Sequence, residues 1–170
     1  MISTAHARTM ARYNRWQNQS IYAAAGTLSD GQRKEPRGAF FGSIHGTLNH
    51  LLWGDQMWMS RFAGTPKPPA AAVAGSVDMH ASWDDLERER RAFDQVIVGW
   101  ADKLDPEWLN GSLTWFSGAT QRELTRPRGL LVAHMFNHQT HHRGQVHCLL
   151  TQFGARPEPT DLPGMPELGE

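Results

Sequence analysis

The sequence contains a single cysteine, Cys148, among its 170 residues. One cysteine excludes an intramolecular disulfide and any cysteine-rich zinc site, so a bound metal would need nitrogen and oxygen ligands. No run of about 18 apolar residues is present, and the first residues lack the apolar core of a signal peptide. We therefore expect a cytoplasmic protein with no membrane segment.

The sequence also lacks an excess of charge of either sign. Seventeen lysine and arginine residues balance seventeen acidic residues, whereas a nucleic-acid-binding protein usually presents a basic face. We therefore expect no nucleic-acid partner. At this length the chain can bury a core, and we predict one domain over residues 1–170. Glycine-rich phosphate loops and the G-x-S-x-G elbow of serine hydrolases are absent from the sequence.

Apolar residues recur at helical spacing in four segments bounded by proline, glycine or capping residues. These segments are 4–28, 40–62, 82–103 and 127–153. Residues 64–79 are rich in proline, alanine and glycine, and we interpret them as a long ordered crossover loop. Two short strands around a glycine turn fit residues 112–125. The pattern predicts an all-α fold, an up-down four-helix bundle with a long crossover loop and a small hairpin before the last helix.

Several charged or reactive residues have no obvious partner in the sequence. Asp55 and Glu123 are lone carboxylates, and we interpret both as solvated or in surface ion pairs. Cys148 follows His147, but adjacent helical residues point about 100° apart, which argues against a nucleophile–base pair. On the third long segment, four charged residues predict an exposed outer face: Glu87, Arg88, Arg90 and Arg91.

Five of the nine histidines fall within fourteen residues of the last predicted helix. At about 100° per residue, His138 and His142 stand about 40° apart on one face, one turn from each other. That spacing lets two imidazoles converge on one cation, as the paired histidines of HExxH helices do. The glutamate of that motif is absent here, so the metalloprotease general base is missing.

Other arrangements of these histidines stay open at the sequence level. His134 and His138 are also one turn apart, and His138 and His141 are three residues apart. We expect Gly144 to allow close helix approach near the site, which slightly favours His138 with His142. A solvated polar helix face is the alternative for the whole cluster. The remaining histidines have no partner at a useful spacing, and we expect ordinary surface or core roles for them: His6, His45, His80 and His147.

His50 is the candidate third ligand. It lies in the middle of the second predicted helix and is bordered by apolar residues. A histidine in such a position is usually a hydrogen-bonded core residue. An inward histidine opposite an inward HxxxH pair on another helix changes this interpretation, because metal sites in bundle cores are built from facing helices.

Three segments match, in order, the pattern of a known family. They are Tyr13-Asn14-Arg15-Trp16, the segment from Ser43 to Asp55 and, above all, the HHRGQ-type segment from Asn137 to Gln145. Together they resemble the DinB family of DNA-damage-inducible proteins, which is unrelated to the polymerase of the same label. The resemblance covers nearly the whole chain. It implies an up-down four-helix bundle that is usually dimeric.

The resemblance also implies a metal site, with a divalent metal held by His50, His138 and His142. Since most members of the family have no established substrate, it implies a site rather than a reaction. Zn²⁺ and Ni²⁺ are the expected metals, because all-imidazole ligation suits both. A polar side chain or carbonyl should hold the other nitrogen of each ring, and three side chains are available. These are Asn14, Asn49 and Gln145.

Three neutral imidazoles would leave an open position on the metal, which is the pattern of catalytic zinc. Relatives in the wider superfamily include thiol-dependent transferases and isomerases. We therefore expect a metal-dependent enzyme that activates a thiol or a water for transfer or hydrolysis. Its partners would be a small-molecule thiol or an electrophilic substrate, and a second copy of the chain in a homodimer. The alternative is a non-catalytic metal-binding stress-response protein with a structural metal.

Overall fold

The computed structural model describes residues 2–118 and 120–166. Residues 1, 119 and 167–170, which belong to the domain predicted over residues 1–170, lie outside the described residues. In chain order the elements are α1 (Thr4–Gly26), α2 (Asp30–Lys34), α3 (Ile44–Ala63), α4 (Val73–Ser76), α5 (Trp83–Asp102), α6 (Pro106–Asn110), β1 (Ser112–Ser117), β2 (Arg122–Pro127) and α7 (Arg128–Gln152). A short 3₁₀ turn follows at Leu162–Gly164.

The predicted all-α fold with a small hairpin is confirmed. The four long predicted segments coincide with α1, α3, α5 and α7, and β1 pairs with β2 in antiparallel register. The second long helix begins later than predicted because Ser43 caps it, its hydroxyl accepting the amide of Gly46 at 3.0 Å. The short helices α2, α4 and α6 lie where no long helical period is present. No helix among the described residues is both long enough and apolar enough to cross a membrane.

Two hydrophobic clusters at opposite ends of the bundle show how the long helices run. Ala7 and Leu131, from the starts of α1 and α7, lie with Phe62 and Ala101, from the ends of α3 and α5. The second cluster holds the opposite ends of the same helices: Ile21, Ile44, Leu86 and Val146. The chain therefore runs up, down, down and up. Since α3 and α5 are parallel, they need the long crossover that the sequence predicts.

A layer of buried charged and polar side chains separates the two clusters. Arg90 of α5 contacts Asp55 of α3 at 2.6 Å and Asp94 at 2.9 Å. Asn18 of α1 donates to Asp94 at 2.9 Å, and Gln139 of α7 donates to Asp55. All five side chains are buried. This buried polar layer joins the four long helices through directional contacts.

The expectations for Asp55 and Arg90 are wrong. Asp55 is not solvated and Arg90 is not on the outer face, whereas Arg88 and Arg91 are exposed as predicted. The two residues are buried because each is the counter-ion of the other, and a hydrophobic pattern counts both as polar. Burial raises the pKa of Asp94 to about 6 even though the Arg90 guanidinium opposes the shift.

Arg90→Ala is expected to destabilise the fold by about 3–5 kcal/mol, because it leaves two buried carboxylates without their counter-ion. Urea unfolding followed by circular dichroism measures the change in the free energy of unfolding. Arg88→Ala is the matched control on the same helix, since its side chain is 63% exposed and pairs only with surface carboxylates. A change below about 1 kcal/mol is expected there. Equal, small effects in both variants would contradict a stabilising role for the buried polar layer.

Candidate metal centre

The structure brings the side chains of His50, His138 and His142 together. One ring nitrogen from each lies within 4.8 Å of the others, and the Nε2 atoms of His50 and His138 are 3.1 Å apart. Two nitrogens held about 2.0–2.1 Å from a tetrahedral zinc ion stand about 3.3 Å apart. The three side chains therefore have the donor type and the spacing to hold one metal ion.

The alternative histidines of α7 lie outside this group. The ring of His134 packs edge-on against Trp58, with 5.2 Å between the ring centroids. His141 is exposed and contacts the side chain of Gln145 instead. The structure thus groups His138 with His142, because this pair lies on the face of α7 that is turned toward His50.

Ser76, at the end of α4, orients the ring of His50. Its hydroxyl donates to the carbonyl of Val73 at 2.6 Å, so the same oxygen accepts from His50 Nδ1 at 2.9 Å. The ring proton of His50 therefore lies on Nδ1, and the lone pair of Nε2 faces the other two histidines. Ser76 is fully buried. No pattern in the sequence indicates Ser76, because the crossover segment has no period that links it to α3.

Gln145 orients the ring of His142 in the same way. Its amide nitrogen lies 3.3 Å from His141 Nε2, which leaves its carbonyl oxygen to accept from His142 Nδ1 at 2.8 Å. The side chain is one helical turn from His141 and three residues from His142, so both contacts follow from the geometry of α7. Of the three side chains available in the sequence for this role, Gln145 is the one found beside a ring of the group.

The other two available side chains have different partners. Asn49 donates to the carbonyl of His80 at 3.1 Å and accepts its amide at 2.8 Å. Asn14 accepts from the buried guanidinium of Arg143. His45 Nε2 lies 2.8 Å from the same His80 carbonyl, so His45 has the ordinary core role expected of it.

Burial keeps the three imidazoles neutral. Burial and the neighbouring His142 lower the pKa of His50 to about 4. Burial and the surrounding histidines lower the pKa of His138 to about 3, and burial also lowers the pKa of His142. A metal ligand must be the neutral ring with a free lone pair. The rings are therefore in the ligating form at neutral pH.

Gly54 leaves room for the ring of His138 between α3 and α7. It follows His50 by one turn, and a Cβ atom at this position would lie 3.0 Å from His138 Cε1. Gly144, for which the sequence suggested a close helix approach, has nothing within 4 Å of the corresponding point. That expectation is wrong, because the crowded backbone near the site belongs to α3 and not to α7.

Phe41 covers the histidines on one side. Its ring stacks on His50 with 3.7 Å between centroids and lies 5.2 Å from the ring of His142. Phe41 comes from the tight turn before α3, where Gly42 has a φ of 75°. The sequence does not indicate this role for Phe41, because the helix predicted over 40–62 includes the residues of this turn. The ring shields this side of the histidines from water.

A cavity of about 820 Å³ opens beside His50 and His138. Its walls come from α3, the segment 71–74, the hairpin and the start of α7. Three of its lining side chains are tryptophans: Trp53, Trp58 and Trp115. A space of this size and apolar lining suits a small organic molecule, and such a molecule would contact two of the three histidines.

Gly54→Ala is expected to weaken zinc binding by at least about tenfold, since the added methyl group displaces the His138 ring. The fold should persist, because alanine is favoured over glycine in a helix by about 1 kcal/mol. Competition with a chromophoric chelator measures the zinc affinity. Gly144→Ala adds the same methyl group to α7 in open space and should leave the affinity unchanged. Unchanged affinity in Gly54→Ala would show that zinc binding does not need His138 in this position.

Comparisons with known proteins agree with this architecture. The sequence matches the model of the DinB family over residues 1–169. It is 28% identical over 150 residues to Protein DinB of Bacillus subtilis (strain 168), with 88% of this chain and 87% of that protein covered. The fold is similar to the crystal structure of a dinb-like protein from Bacillus cereus ATCC 10987, with a TM-score of 0.64 and 15% identity. That match covers 85% of this chain and 90% of the other.

Proposed function

This chain belongs to the DinB family, and from that membership we propose that it binds one divalent cation through His50, His138 and His142. The observation that carries the proposal is the convergence of three ring nitrogens within 4.8 Å. Zn²⁺ or Ni²⁺ is the expected ion, because all-imidazole ligation suits both, whereas Mg²⁺ and Ca²⁺ prefer oxygen ligands.

We further propose that this metal serves catalysis by activating a thiol or a water for transfer or hydrolysis. Structural zinc sites normally have four protein ligands, whereas catalytic sites keep an open position. A divalent cation lowers the pKa of a coordinated water or thiol and so supplies a nucleophile near neutral pH. The cavity beside His50 and His138 gives a substrate access to this position. The small-molecule thiol or electrophile and the homodimer stay predictions.

The residues around the histidines would orient the ligands and exclude water. Ser76 and Gln145 hold two rings with Nε2 directed inward, and Phe41 covers one side. Trp53 stacks near His50 at 5.5 Å between centroids, and its indole nitrogen donates to the carbonyl of Ala70 at 2.7 Å. This bond ties the crossover segment to α3 and fixes one wall of the cavity.

A second candidate function is metal binding without catalysis, as in a stress-response protein with a structural metal. The position of the histidines in the fold favours it. A bound ion would join α3 to α7, and Ser76 would attach the crossover segment to the same centre. Such an ion would stabilise the fold, because its ligands come from distant parts of the sequence and converge only in the folded chain.

His142→Ala is expected to abolish stoichiometric zinc, since it removes one of three ligands. Elemental analysis of the purified protein measures the metal content. His147→Ala should retain full occupancy, because His147 lies about 140° further round α7 than His142. Full occupancy in His142→Ala together with loss in His134→Ala would show that the metal uses the other pair on α7.

Removal of the metal with a chelator separates the two candidate functions. If the metal serves catalysis, the metal-free protein should keep its melting temperature within a few degrees. The metal-loaded protein should then accelerate the reaction of cysteine with 1-chloro-2,4-dinitrobenzene or the hydrolysis of an activated ester. A melting temperature lower by more than about 10 °C in the metal-free protein, without activity in the loaded protein, would favour the structural metal.

A further inference from the structure

One cation faces the cavity without a carboxylate partner. Arg61 of α3 lines the cavity, and no aspartate or glutamate does so among the described residues. Within the same part of the chain, no hydrogen bond or ion pair connects Arg61 to another residue. Among the described residues, the buried arginines each have a polar partner: Arg33, Arg90 and Arg143. Arg61 therefore has N–H donors in the wall of this cavity without a hydrogen-bond partner in the described part of the chain.

Two tryptophans hold the guanidinium of Arg61 in place. Its Cζ atom lies 4.7 Å from the ring centroid of Trp58 on α3 and 5.8 Å from that of Trp115 on β1. Stacking engages the faces of a guanidinium and leaves the N–H groups at its edge free to donate. Those N–H groups form a planar fork that matches a carboxylate with two parallel hydrogen bonds.

Arg61 lies on the same side of α3 as His50. Eleven residues separate them, which is about three helical turns and about 16 Å along the helix axis. Viewed down the axis, the two side chains point in directions that differ by about 20°. Helical side chains lean toward the start of their helix, so Arg61 leans toward the histidines. Gly54 and Met57 lie between the two and also line the cavity. A molecule that lies along this side of α3 can therefore contact both Arg61 and His50.

The surroundings of Arg61 favour an anion. Burial lowers the pKa of Arg61, but an arginine side chain stays charged in proteins. A partly buried cation without a counter-ion is unfavourable, and a bound anion relieves that cost. Because Arg61 is the single arginine among the described residues that line the cavity, one negative charge balances it. The apolar walls on either side then suit an apolar or aromatic body on the same molecule.

We propose that Arg61 determines substrate specificity by binding a carboxylate group, while the apolar body of the substrate lies along Trp58 and Trp115 and its reacting end reaches the histidines. The substrate class is a small monoanionic carboxylate with an apolar or aromatic body. The role of the reacting end rests on the proposed metal-dependent function. The carboxylate subsite itself needs no metal.

Binding of 4-phenylbutanoate and of its neutral amide tests the proposal. Isothermal titration calorimetry is carried out on the full chain, both loaded with zinc and freed of metal by a chelator. The wild-type protein should bind the acid at least about tenfold more tightly than the amide in both forms, since a charge-assisted hydrogen bond is lost with the amide. Arg61→Gln should abolish this preference and leave the affinity for the amide nearly unchanged.

Two further variants make the result specific. Arg61→Lys should retain part of the preference, because lysine keeps the charge but not the planar fork. Arg126→Gln removes an exposed arginine of β2 that does not line the cavity, and it should bind both probes as the wild type does. Equal loss of preference in Arg126→Gln would indicate a long-range charge effect and would contradict a subsite at Arg61.

Several outcomes would overturn the proposal. One is equal affinity for acid and amide in the wild type, and another is a preference that survives in Arg61→Gln. If Arg61→Gln keeps the preference for the acid only when zinc is bound, the carboxylate binds the metal and not Arg61. If Arg61→Gln weakens both probes by the same factor, Arg61 only supports the cavity wall. An Arg61-dependent preference in metal-free protein, together with absent zinc binding or activity in the other tests, would refute the proposed function and leave the subsite standing.

Discussion

The hydrogen bond from Gln139 to Asp55 sets the position of α7 against α3, and the histidine geometry depends on it. The residues that precede this pair, His138 and Gly54, face each other at close contact. Asp55 is also bound to Arg90 at 2.6 Å, so it cannot shift along the bundle without leaving a buried charge unpaired. The hydrogen bond between Gln139 and Asp55 involves none of the three histidines, yet it fixes their relative position.

The same layer limits how the four helices can slide past one another. Apolar side chains of similar size tolerate small changes in packing, whereas buried polar groups lose far more when their partners move. Arg143 of α7 adds a second polar contact to α1 through Asn14 and lies over the ring of Tyr13 at 5.5 Å. Burial lowers the pKa of Arg143 to about 10, so it remains charged at neutral pH. The two apolar clusters bury hydrophobic surface, and the buried polar layer between them selects one position of the four long helices along the bundle.

The sequence predicts the long helices and the histidine faces because both follow from the angle between successive helical residues. The same angle cannot choose between His134 and His142 as the partner of His138, since each is one turn away. That choice depends on which face of α7 meets α3, and Gln139 decides it through a contact 84 residues distant in sequence. The contact between Ser76 and His50 could not be predicted from the sequence either, because no local pattern connects the two residues. Asp55 and Arg90 were misplaced because a buried ion pair looks like two surface charges in a hydrophobic pattern.

Two of the seven tryptophans attach the hairpin to the bundle. Trp115 of β1 packs edge-on against Trp58 of α3 at 5.7 Å between centroids, and both rings contact Arg61. The hairpin is thus attached to the bundle by aromatic contacts that also form the cavity wall, while Phe116, on its other face, is 59% exposed. The three histidines come from α3 and α7 and do not need this hairpin. The hairpin contributes one wall of the cavity and contacts the guanidinium of Arg61 through Trp115, so this part of the wall comes from a different element than the three histidines.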